Sequence, residues 1–143
     1  MKQFNIAALA VASIGVLHVK TAAGEPAYAD AERKLPILIH LHSPGSEIAS
    51  IVEGRQTARS LKRMQDNDGK VTVGSPEERK AETAADLAAL TAGFQNFTYG
   101  DGSLTGEQLY RAVYEDQTLG FITRQVAKHF GDWGNFSSAS TNG

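Results

Sequence analysis

The stretch AGFQNFTYGDGSLTGEQLYRAVYEDQTLGFITRQVAKHFGDWGNF, Ala92–Phe136, carries nine of the eleven aromatic residues in the chain. Aromatic rings bury more area than other side chains, so the best-packed core or the main recognition surface belongs here. Phe94–Tyr99 alternates apolar and polar residues, the period of an extended segment. Gly100-Asp101-Gly102 reads as a turn. Thr105-x-x-Gln108 has the spacing of a capping box and predicts a helix to Tyr114. Leu109 and Val113 share one face of it, Tyr110 and Tyr114 the next. Asp116 is placed to cap a further helix to Phe130, in which Ile122, Val126 and Phe130 recur every four residues beside Leu119. Gly131 is the expected stop. Trp133 and Phe136 come after it and have two readings: folded back on the helices, or offered to a partner.

Upstream of this stretch the chain is charged. Fifteen of its thirty Asp, Glu, Lys and Arg residues lie between Glu47 and Asp86, so residues 46–91 read as a charged helical hairpin. Ser46 is a plausible N-cap for a helix from Glu47 to about Gln65. Arg55, Arg59, Lys62 and Arg63 make one of its faces basic. That face reads as solvated surface, with an acidic partner as the functional alternative. Asp66–Val73 is a polar break. Ser75-Pro76-Glu77-Glu78 then supplies the clearest local signal, with Ser at N-cap, Pro at the first helical position and Glu at the third. This helix is expected to run through Ala81–Leu90 toward Phe94.

Leu35–His42 is rich in branched, alternating residues and reads as a strand closed by Ser43-Pro44-Gly45. Val16–Lys20 reads as its hairpin partner, and the polar Thr21–Lys34 as the long loop between them. Before them, Phe4–Ala12 predicts a short amphipathic helix stopped at Gly15. The apolar run Ile6–Leu17 also resembles the core of a secretory signal peptide, which would make the chain a secreted bacterial protein. Ser137–Gly143 reads as a flexible tail. The expected fold class is α+β. A single domain over 1–136 comprises an N-terminal helix and β-hairpin region (1–45), the charged hairpin (46–91) and a mostly helical aromatic part (92–136), with about four helices after the β-hairpin.

The totals exclude several classes of function. The 143 residues carry a net charge of −2 and a pI near 6.1, which argues against a generally basic nucleic-acid binder. With no cysteine there is no disulfide scaffold, thiolate metal site or cysteine nucleophile. No apolar run approaches the roughly 20 residues that span a bilayer. No Gly-x-Ser-x-Gly elbow, P-loop or dinucleotide fingerprint occurs. A calcium loop around Gly69 fails, because Met64 and Ser75 fall where carboxylates are required. Glu115-Asp116 reads as a helix end and cap rather than an acid/base pair. His18, His40 and His42 are the candidates for a metal, since His40 and His42 share a strand face and His18 lies on the neighbouring strand. A polar sheet face explains them as well, and no carboxylate is placed to orient them. No catalytic residue, metal or cofactor is therefore expected.

The motifs Gly93-Phe94, Asn96, Thr105, Glu107, Leu109, Asp116, Phe121 and Trp133–Phe136 together resemble the C-terminal pattern of the small tail assembly chaperones of long-tailed bacteriophages. A Gly24-Glu25-Pro26 turn before the Pro36–Ser46 strand and turn adds to the resemblance. It implies a non-catalytic protein that binds the tape measure protein, keeps its apolar helices soluble and helps recruit the major tail protein. The place implied is the cytoplasm of the infected bacterium, with no nucleic-acid or membrane partner and with a homo-oligomer left open. A structural virion protein (connector, decoration or minor tail component) is the alternative. Trp133, Asn135 and Phe136, with Phe94, Phe97 and Tyr99, are the residues expected to meet a partner.

Overall fold

The computed structural model of the protein describes residues 5–69 and 74–137. They form an α+β fold of three antiparallel strands and four α-helices. The sheet runs β1 (Ile14–His18), β2 (Leu38–His42), β3 (Thr91–Gln95), with β2 central. The helices are α1 (Glu47–Asp66), α2 (Pro76–Leu90), α3 (Gly106–Glu115) and α4 (Gly120–Gly131). Ile39 and Leu41 from the central strand, Val113 from α3, Val126 from α4 and Phe136 are fully enclosed and form the middle of the core. The expected starting residue Phe4, the second half of the polar break (70–73) and the tail beyond Ser137 lie outside the described residues.

The hairpin pairs Ile14 with His42 and His18 with Leu38. The segment between its strands is folded rather than a plain long loop. The Ala27 amide donates to Val19 O, and the Ile37 amide donates to Ala27 O. The Asp30 carboxylate accepts the amides of Lys34 and Leu35 at 3.0 and 2.8 Å. These local bonds satisfy a backbone that a polar composition alone would leave to water.

Two expectations at the N-terminus need correction. The predicted helix is a 3₁₀ turn over Ile6–Leu9, capped by the Asn5 carboxamide and with no buried residue. An isolated turn with nothing to pack against cannot offset the cost of helix nucleation. Gly15 is not a helix stop. It sits inside β1, where an added Cβ would lie 2.6 Å from Phe136 Cδ1. Glycine here makes room for a ring.

α1 and α2 start where their caps predict. Ser46 and Ser75 accept the amides of Ala49 and Glu78, each at 3.2 Å. The basic face of α1 is not simply solvated, because α2 supplies acids to its arginines, while Lys62 stays exposed. Arg59 donates to both oxygens of Asp86 at 3.1 and 2.5 Å, and Gln56 donates to the same carboxylate at 3.0 Å. Arg63 pairs with Glu82 one turn away, at 2.6 Å to Oε2.

α2 ends at Leu90, earlier than the expected run toward Phe94, and the chain passes directly into β3. The third strand is thus Thr91–Gln95 rather than Phe94–Tyr99, with a pairing irregularity where His40 opposes Gly93 and Leu41 opposes Thr91. Pairing with the centre of β2 outweighs helix propensity at this junction. The capping box at Thr105 does not form, as the Thr105 side chain makes no cap bond. Gly106, the first residue of α3, has φ +56, a left-handed conformation that glycine adopts without strain. Asp116 caps a 3₁₀ turn, Gln117–Leu119, that leads into α4.

Candidate partner-binding surfaces

The aromatic residues of β3 and α3 pack on one another. Phe94 lies 4.4 Å from Phe97, 4.6 Å from Tyr110 and 6.1 Å from Tyr114, ring centre to ring centre. Thr91 donates its hydroxyl proton to Leu87 O, which leaves the Tyr114 hydroxyl to donate to Thr91 Oγ1 at 2.7 Å. Burial of Tyr114 holds its hydroxyl proton well above the usual phenol range. Tyr99 donates to Asp116 Oδ2 at 2.8 Å. Hydrogen bonds from Thr118 and Tyr99 in turn hold the Asp116 carboxyl below its ordinary range. Phe94 and Tyr99 are therefore engaged inside the chain, and Phe97 is half-buried at the margin of this cluster.

The C-terminal group divides. After α4, Asp132 accepts the Gly134 amide and starts a 3₁₀ turn, Trp133–Phe136. Asn135 donates to His129 O at 3.1 Å and ties that turn to α4. Phe136 is wholly buried against Gly15, and its carbonyl accepts the Ala12 amide at 2.7 Å. Phe136 is thus a core residue and presents no surface to a partner. Trp133 stays 56% exposed. Its ring edge and Val11 flank Gly45, where an added Cβ would meet Val11 Cγ2 at 2.9 Å and Trp133 Cζ3 at 3.3 Å. Val11 comes just after the N-terminal 3₁₀ turn, whose Ile6 and Leu9 are 73% and 66% exposed. Trp133 thus stands beside Val11 near Gly45, and the turn that precedes Val11 exposes apolar side chains.

The three histidines share the sheet face opposite Ile39 and Leu41, as the strand alternation requires. They do not converge. His18 stands opposite Leu38, four residues from His42 along the strand, or about 13 Å at strand rise. A zinc ion needs its ligands about 2 Å away. His18 Nε2 is 2.9 Å from Ala27 O, and His40 Nε2 is 2.9 Å from Gln95 Oε1. Among the described residues no group of three His, Cys, Asp or Glu side chains is arranged to hold a metal. None of the helices is long and apolar enough to cross a membrane, among the same residues.

One feature had no local signal. An apolar cleft of about 210 Å³ opens between the folded hairpin segment after β1, the segment that follows β3, and α4, lined by Val19, Ala27, Ile37, Phe97, Phe121 and Ile122. Its walls come from three separate parts of the sequence, so no periodicity within one segment could reveal it. Phe97 is the only one of the sequence-derived partner residues that lines it.

Comparisons with protein-family models, curated proteins and solved structures return no match. The resemblance to tail assembly chaperones therefore rests on the short motifs alone.

Proposed function

We propose that this protein is a non-catalytic assembly chaperone or adaptor of a long-tailed phage. It binds the apolar helices of the tape measure protein and helps recruit the major tail protein in the cytoplasm of the infected bacterium. One observation supports the reading: Trp133 is 56% exposed beside Val11, and Ile6 and Leu9 of the turn that precedes Val11 also stand in water. An amphipathic helix that lays an apolar face against Trp133 would cover its ring. Tryptophan is the side chain most enriched where binding energy concentrates.

Co-expression with the tape measure protein encoded beside it, then pull-down, tests the reading. The wild type is expected to keep the tape measure soluble and to co-purify with it. Trp133→Ala together with Leu9→Asp is expected to lose both properties while remaining folded. If the wild type leaves the tape measure insoluble, the chaperone reading is wrong. Recovery of the protein from purified virions in stoichiometric amounts would favour a structural component instead.

A further inference from the structure

We propose that the cleft between β1 and α4 is a second docking site, built for an apolar or aromatic side chain with acidic residues directly after it in a partner polypeptide. The site does not depend on the tape measure reading. It lies past the other end of β1 from Trp133, whose neighbours Val11 and Gly45 adjoin the Ile14 end, and β1 itself spans about 13 Å from Ile14 to His18.

Size selects the kind of occupant. The cleft measures about 210 Å³, below the roughly 300–1,000 Å³ of small-molecule pockets. It accommodates one side chain better than a whole ligand. Phe97 and Phe121 are half-buried and wall it, while Val19 and Ile122 close its floor. Rings that already sit in place cost little entropy when an anchor enters between them.

The cleft is also held open by its own chain. The Gln125 carboxamide accepts the Lys20 amide at 2.7 Å and donates to Lys20 O at 2.8 Å. This pair of bonds copies a strand neighbour and clamps the end of β1 to α4, so the two walls cannot drift independently.

Charge selects the residues next to the anchor. A shallow groove continues from the cleft through Lys20, Thr21 and Phe121 to Gln117, Thr118 and Arg124. Two cations line it and no carboxylate does. Every described salt bridge of the chain lies on α1–α2 or within α3, and none involves Lys20 or Arg124. Both cations are solvent-exposed. Carboxylates that leave the cleft along this groove would find complementary charge there, which favours encounter and register.

The test uses the full chain, labelled with ¹⁵N, and an acetylated pentapeptide in which phenylalanine precedes two acidic residues. A matched peptide with two lysines is the control. The acidic peptide is expected to shift the amides of Lys20, Thr98 and Phe121 and to leave those of Ile6–Leu9 and Trp133 in place. Lys20→Glu and Arg124→Glu are each expected to weaken binding about fivefold or more. Thr98→Trp, on an exposed rim position, is expected to block the cleft. Trp133→Ala is expected to bind as the wild type does, which separates this site from the tape measure surface. No shift up to roughly 2 mM peptide, equal binding of the lysine peptide, or shifts centred on Trp133 would each overturn the proposal.

Discussion

Between α1 and α2 the contact is made by ions: Arg59 and Arg63 reach across to Asp86 and Glu82, and Gln56 completes the coordination of Asp86. Between β1 and the C-terminal 3₁₀ turn the contact is made by shape, with Phe136 filling the space that Gly15 leaves empty. The first seam is partly wet, since the Arg59 side chain keeps 32% of its exposure. The second is dry. Partly wet ion pairs contribute modestly, because water competes for each partner. A buried ring contributes its full transfer and packing energy, and leaves a cavity when removed. The apolar seam should therefore govern stability, although the ionic seam contains more polar contacts.

The contrast between the seams is tested most directly at Phe136. Phe136→Ala is expected to destabilise the protein by about 3–5 kcal/mol, read by urea unfolding. Gly15→Ala attacks the same seam from the other side and should cost about 1–3 kcal/mol by overpacking. A loss well under 1 kcal/mol in both would mean that the ring is not seated against Gly15.

At the ionic seam, Asp86→Ala leaves Arg59 and Gln56 without their shared acceptor. The expected cost is about 1–3 kcal/mol, smaller than that of Phe136→Ala. A pair change of Arg59→Met with Asp86→Leu should recover much of it, since an apolar replacement removes both desolvation penalties. If the pair is no better than the single change, charge contributes more to this seam than its exposure implies.

A smaller effect is expected at His129, which packs against Phe136 with ring centres 5.6 Å apart. Its Nε2 is buried without a hydrogen-bond partner. Burial lowers its pKa below 6.5, against the pull of Asp132 in the other direction. The folded protein therefore disfavours the imidazolium, and below pH 6.5 the unfolded chain binds more protons. Stability should fall as the solution is acidified through that window. Trp133, the one tryptophan of the chain, reports on this corner by its emission. His129→Gln should flatten the pH dependence. An unchanged slope would place its origin elsewhere.

The smallest effect on stability is expected from Trp133→Ala. A half-exposed side chain away from the core should cost no more than about 1 kcal/mol. A change of several kcal/mol would make Trp133 a packing residue and remove the basis for treating it as a contact surface.

Much of the local structure is legible in the residues themselves. Ser46 and Ser75 announce two helix starts because a cap is a bond between neighbours in sequence. The hairpin strands are legible from alternation, and α4 from its four-residue apolar repeat. Thr105 shows the limit of such signals: its motif is present, yet its side chain makes no cap bond, and Gly106 after it stands at φ +56. Gly15 shows another limit. A glycine after an apolar run looks like a stop, and only the ring that approaches it from the far end of the fold reveals its purpose. At the candidate surfaces, Trp133 and Phe136 carry the same local signal and receive opposite burial.

The α+β class, the main hairpin, the charged pair of helices and the aromatic weight of the C-terminal part are all written in the chain itself. Each of these comes from periodicity, capping or composition within a short window. Folding in three dimensions settled the rest: the arginines of α1 meet the acids of α2, Phe136 is core while Trp133 is surface, and the histidines do not converge. It also placed Phe97 and Phe121 as the walls of a cleft beside Lys20 and Arg124. Those outcomes depend on distances between residues far apart in the chain, which local propensity does not encode.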